Sequence, residues 1–163
     1  MPKVLTPIFI FFLSYTTHAQ FGPVIFIDFQ TEQTTQQLAC ADFNNDGLND
    51  ILTANLKWPK DNMTWYLNQG NNQYLIESIP GADSLTELEM FDTGDINRDG
   101  WMDFIISSES PYKLTWFENF QGSFTPHVID EELDFTTHVL LTDFNNDSLL
   151  DILSLQHTEI VVY

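Results

Sequence analysis

One nine-residue stretch occurs three times in 163 residues. "DFNNDGLND" at 42–50 returns as "DINRDGWMD" at 95–103 and as "DFNNDSLLD" at 143–151, 53 and then 48 residues apart. Repetition at this period marks architectures in which one supersecondary unit is stacked on the next. Nine of the fifteen aspartates fall on positions 1, 5 and 9 of the three stretches. Asp, Asn and Gly are ordinary turn residues, but unrelated turns would not share one register, and carboxylates this close repel. A hard cation explains the spacing. Ca²⁺ takes about 6–8 oxygen ligands from carboxylates, amide oxygens, backbone carbonyls and water. In the first loop Asp42, Asn44 and Asp46 alternate so as to aim into one concavity, and Gly47 permits the sharp turn. Leu48 offers its backbone carbonyl, and Asp50 closes the shell with both oxygens.

The repeat extends beyond the loop. A β-branched run follows each one ("ILTAN", "FIISS", "ILSLQ"), then a second strand ("MTWYLNQG", "LTWFENFQG", "IVVY"), then a third ("YLIESI", "FTPHVID"). An apolar stretch precedes each loop ("QLACA", "EMFDTG", "VLLT"). Each unit therefore reads strand, acidic loop, strand, strand, strand, over about 50 residues, which predicts an all-β fold. Consecutive apolar residues within the runs suit sheets buried on both faces. Ser84-Leu85-Thr86-Glu87 fits a helix capping box, but in register it leads into the second unit's first strand. At most one helical turn is expected there.

The chain opens with one lysine, an apolar run from Val4 to Tyr15, and the small-x-small pattern Thr17-His18-Ala19. This reads as a secretory signal peptide at 1–19. The run is too short for the ~20 residues that span a bilayer, so no membrane span is expected after cleavage. The remaining 144 residues carry 24 acidic and 4 basic side chains. With no basic patch to displace counterions, nucleic acid is excluded as a partner. The single cysteine, Cys40, allows no intrachain disulfide and reads as a small buried hydrophobe. A bound metal is the alternative staple for an exported domain.

The D-x-N-x-D-G-x-x-D loop, the downstream "WYLN" and "WFEN", and the segments "FGPVIFID" and "FTPHVID" together resemble secreted bacterial proteins built of VCBS-type repeats. These are relatives of the FG-GAP repeats of the integrin-α β-propeller. The resemblance covers residues 21–163, although no literal GAP triplet is present. It implies antiparallel β-propeller blades of about four strands each, with Ca²⁺ in the loop joining the first two. Carried over by position, the ligands are Asp42, Asn44, Asp46 and Asp50; Asp95, Asn97, Asp99 and Asp103; Asp143, Asn145, Asp147 and Asp151. The carbonyls of Leu48, Trp101 and Leu149 join them. Ser148 replaces glycine at position 6 of the third loop, which marks that site as the weakest. The implied layout is an outer strand at 21–28, unit one at about 34–80, unit two at about 87–130 and a truncated unit three at about 136–163. That makes two to three blades of a partial propeller, completed by further blades from a longer chain or another copy.

The expected function is that of a non-enzymatic, calcium-stabilised module, secreted or on the cell surface, that binds extracellular protein or glycan or serves as a scaffold. The alternative is a piece of a secreted carbohydrate-active enzyme. No nucleophile elbow, zinc motif or phosphate loop supports chemistry, and His127, His138 and His157 are scattered. Trp65, Trp101 and Trp116 could form a sugar platform, but Trp65 and Trp116 recur at one strand position, which points to blade core.

Overall fold

The computed structural model describes residues 24–27, 34–56, 62–110, 112–133 and 136–163. Among these, eleven strands form three antiparallel sheets in sequence order. Unit one holds β1 (Thr34–Ala41), β2 (Asp50–Leu56), β3 (Asn62–Asn68) and β4 (Tyr74–Ser78). Unit two holds β5 (Thr86–Gly94), β6 (Asp103–Ser110), β7 (Tyr112–Phe120) and β8 (Ser123–Asp130). Unit three holds β9 (Thr136–Thr142), β10 (Asp151–Gln156) and β11 (Glu159–Val162). Every pairing is between chain neighbours, so each sheet is a simple meander. The fold is thus all-β, with two four-stranded sheets and one three-stranded sheet like partial propeller blades. One 3₁₀ turn, Ala82–Ser84, ends at the first residue of the capping-box segment, whose Thr86 and Glu87 already lie in β5. No helix among the described residues is long and apolar enough to cross a membrane. The leader expected at 1–19 lies outside the described residues.

Side chains alternate across each strand, so every sheet has two faces. Unit one's leading face carries Ala39, Leu52, Ala54, Met63 and Trp65. With Phe43 from the acidic loop, it packs on Leu88, Phe91, Phe104, Ile106, Phe117 and Phe124 of unit two. Phe104 stacks on Phe117 at 4.5 Å, and Phe124 meets Trp65 edge-on at 5.5 Å. Unit two's opposite face, with Met90, Ile96, Ile105 and Leu114, packs on Val139, Leu141 and Ile152 of unit three. The middle sheet is therefore apolar on both sides, which accounts for its continuous buried run in β6.

Polar groups stitch the units together where their first strands pass. β5 is the edge strand of its sheet, so the outward backbone groups of Phe91 are open to unit one. The Gln37 amide then donates to Phe91 O (2.6 Å) and accepts from Phe91 N (2.8 Å). One step along, Leu141 N donates to the Asp92 carboxylate at 2.8 Å.

Two sequence expectations need correction. Cys40 is exposed, not buried. It shares a face with Leu38, on the side of unit one turned away from unit two. Of the outer strand expected at 21–28, only 24–27 are described, and these are not in a strand. Ile25, Phe26 and Ile27 instead border a cavity of about 360 Å³ over the same face of unit one.

Candidate functional site

The three acidic loops have the same local construction. Position 5 sends its N–H to side-chain oxygens at positions 1 and 3. In loop one, Asp46 N reaches Asp42 Oδ1 and Asn44 Oδ1, both at 3.1 Å. In loop two, Asp99 N reaches Asp95 Oδ1 and Asn97 Oδ1, both at 3.0 Å. In loop three, Asp147 N reaches Asp143 Oδ1 at 3.0 Å and Asn145 Oδ1 at 2.8 Å. Two oxygens sharing one hydrogen must lie close together, so positions 1 and 3 converge as the spacing predicts. Position 6 donates to the other oxygen of position 1, at 2.8, 2.9 and 2.9 Å for Gly47, Gly100 and Ser148. Position 7 (Leu48, Trp101, Leu149) donates to position 5 at 2.8, 2.9 and 2.7 Å.

This wrapping requires left-handed backbone at two places. Position 6 has φ of 88° at Gly47 and 87° at Gly100, and Ser148 is held at 71°. Position 4 is left-handed as well, in Asn45, Arg98 and Asn146. The sequence signals this at the two asparagines, which tolerate that region, but not at Arg98.

Position 9 behaves differently. Asp50 and Asp103 are fully buried at the start of β2 and β6. Asp50 accepts Asn68 N at 2.7 Å and Trp65 Nε1 at 3.1 Å. Asp103 accepts Asn119 N at 2.7 Å and Ile96 N at 3.1 Å. Burial pushes both carboxyls above the usual carboxylate value, and the neighbouring Asp46 and Asp99 add to the rise. The N–H donors pull the other way without cancelling it. Asp151, less buried, turns back onto its own loop and accepts Phe144 N at 2.9 Å and Asn145 N at 3.3 Å. In loops one and two, position 9 thus ties the loop to the sheet. Among the described residues, no group of three His, Cys, Asp or Glu side chains is placed so as to hold a metal ion. The convergent oxygens are those of positions 1 and 3, with position 5 alongside through Asn44 Nδ2–Asp46 Oδ2 (2.9 Å) and Asn97 Nδ2–Asp99 Oδ2 (3.1 Å).

Sequence reading did not assign a role to the asparagine of the W-[YF]-x-N segment. The Asn119 amide donates to Met102 O (2.9 Å), in its own loop, and to Phe43 O (2.7 Å), at position 2 of the previous unit's loop. Asn68, its counterpart, donates to Asn49 O at 2.9 Å. The recurrence of that asparagine three residues after the tryptophan in units one and two was the available signal. Of the three tryptophans, Trp65 is buried. Trp116 is half-buried and tilted on His127 at 4.9 Å. Trp101, half-buried, lies 6.4 Å from the exposed Phe120. They do not form one platform.

A family model described as an FG-GAP-like repeat matches residues 42–106 and again 95–154. Each match begins at position 1 of one acidic loop and runs through the next. No curated protein and no solved structure matches the chain.

Proposed function

Because the chain belongs to the FG-GAP-like repeat family, a β-propeller-type repeat architecture, we propose that it acts after export as a calcium-stabilised binding scaffold without catalytic chemistry. The observation that supports this most is the threefold identity of the loops. All three bring the oxygens of positions 1 and 3 together on the N–H of position 5 around the same wrapped backbone, whatever stands at position 6. A hard cation fits that donor set better than water does, since each loop concentrates three carboxylates. The buried Asp50 and Asp103, whose charge the protein alone leaves under-compensated, favour the same reading.

In this scheme Asp42, Asn44, Asp46 and the Leu48 carbonyl would hold the ion of loop one. Asp95, Asn97, Asp99 and Trp101 would do so in loop two, and Asp143, Asn145, Asp147 and Leu149 in loop three. A carboxylate has about four acceptor positions, so Asp50, Asp103 and Asp151 can keep their N–H partners and still contribute. Bound Ca²⁺ supplies charge neutralisation, taking each loop from −3 to −1. The chain's residues do the rest: they fix the β1–β2 connection and its counterparts and thereby set the angle at which position 2 enters the next unit. Extracellular modules of this chemistry hold Ca²⁺ with Kd of about 10⁻⁴–10⁻³ M. The exported module would offer its outer strands and loops to protein or glycan.

Equilibrium dialysis tests the metal half of the proposal. The expected result is about one Ca²⁺ per loop, with Mg²⁺ bound far more weakly because it demands tighter octahedral geometry. No bound calcium at millimolar concentration would remove it.

A further inference from the structure

The three acidic loops hold the amide at position 3 in different ways. In loop one, Asn44 Nδ2 donates to Asp46 Oδ2 at 2.9 Å, within its own loop. In loop three, Asn145 Nδ2 reaches Asp151 Oδ1 only at 3.5 Å. In loop two, Asn97 Nδ2 donates to Asp99 Oδ2 at 3.1 Å and also leaves the loop, to Glu118 Oε1 on β7 at 3.0 Å. Glu118 is itself held. Its other oxygen meets His127 Nε2 on β8 at 2.8 Å, and the His127 ring lies tilted on Trp116 at 4.9 Å. The β7–β8 register sets His127 opposite Trp116, so this bracket is built inside unit two. Sheet register makes Leu67 of unit one the counterpart of Glu118, and a leucine side chain offers no acceptor.

An asparagine side chain has one acceptor end and one donor end. To serve as a ligand at position 3, its oxygen must face into the loop, and its NH₂ must then be satisfied elsewhere. In loop one the acceptor for that NH₂ is Asp46, itself one of the oxygens a cation would draw on. A carboxylate engaged by a cation is a poorer hydrogen-bond partner, so the Asn44 amide loses its hold when it is needed. In loop two Glu118 stands outside the donor set and keeps its bond to Asn97 whatever the loop contains. Groups one step behind the ligands orient them in this way, and removing such a group typically costs about 10–100-fold in metal affinity.

We propose that Glu118 is a positioning residue for loop two: it fixes the Asn97 amide with its oxygen turned into the loop, and so makes loop two the tightest of the three cation sites. The inference rests on the calcium reading of the loops and adds an order among them, with loop two filling first.

Calorimetric titration of the purified full chain with Ca²⁺ tests this, comparing wild type with Glu118→Leu and Glu118→Gln. Leucine is what unit one carries at this place, and it removes the acceptor. Glutamine removes the charge but keeps a side-chain oxygen for Asn97. The wild type should show one site tighter than the others. Glu118→Leu should weaken that site about tenfold, and Glu118→Gln should keep most of its affinity. A second background separates positioning from damage to the fold. Asp99→Ala disables loop two, so adding Glu118→Leu to it should leave the remaining calcium titration unchanged. Three results would each overturn the proposal: Glu118→Leu binding calcium as the wild type does, Glu118→Gln being as weak as Glu118→Leu, or Glu118→Leu also weakening the sites left in the Asp99→Ala chain. All three leave the calcium reading of the loops standing. A wild type that binds no calcium would instead remove that reading, and this inference with it.

Discussion

At the residue scale, the side chains that join one unit to the next carry more than their number suggests. The Asn119 amide is fully buried and bridges two carbonyls from different units. Removing it leaves buried acceptors unpaired, which costs roughly 1–3 kcal/mol. Asn119→Ala should therefore destabilise the chain by about that amount in denaturant titration. Asn68→Ala lacks the inter-unit bond and should cost about 1 kcal/mol less. Equal losses would show that the Phe43 bond contributes nothing. Ser148 is the other informative residue. It sits at φ 71° where the sister loops have glycine, and a non-glycine residue there costs roughly 1–2 kcal/mol. Ser148→Gly should raise the melting temperature by about 2–4 °C in a chain of this size. An unchanged or lower value would mean that the Ser148 backbone is not strained.

At the element scale, the loops and strands were legible in the sequence, and the faces were less so. Turn chemistry fixed where strands stop: the acidic loops open the first hairpin of each unit, and Gln121-Gly122, both left-handed, close the β7–β8 hairpin. Which side of a strand is covered depends on neighbouring units, and local pattern carries little of that. Cys40 shows this. Its surroundings in sequence are small and apolar, yet it is exposed, on the face of unit one turned away from unit two. Asp50 and Asp103 show a second limit. Spacing marks them as ligand oxygens, but the partners that tie them to the sheet, Trp65, Asn68 and Asn119, lie 15–18 residues away on the third strand. The end of β11 supplies a pH-dependent tie. Tyr163 donates its hydroxyl to Asp130, at the end of β8, at 2.6 Å. That bond holds the Asp130 carboxyl below its usual 3.8. Burial, then Asp130, push the Tyr163 hydroxyl up from 10.0 to about 12. The Asp130 contribution is present above pH 3.8 and lost as pH falls through its lowered value. The Tyr163 contribution is present below pH 10 and lost as pH rises through about 12. Tyr163→Phe should lower stability at neutral pH and flatten the alkaline loss above pH 10. Wild-type behaviour at both pH values would show that the tie is not formed.

At the scale of the whole molecule, three sheets stacked in sequence share two apolar seams, so each unit is held mainly by its neighbours. Stability in such arrays is roughly a sum of unit and interface terms. The loops stand at those interfaces, because position 2 of loops one and two enters the next unit. A cation that stiffens a loop would therefore stabilise the seam as well as the hairpin. An ion that binds only the folded form stabilises it by mass action. Repulsion within an acidic chain works against the compact state, and three ions would bring the full chain from −19 to −13. The most direct measurement is thermal unfolding of wild type, Asp46→Ala and Asp99→Ala, each in millimolar calcium and in chelator. The account predicts that chelator lowers the wild-type midpoint clearly, that both variants melt lower in calcium, and that their response to chelator shrinks. A wild-type midpoint that is the same in calcium and chelator would contradict it.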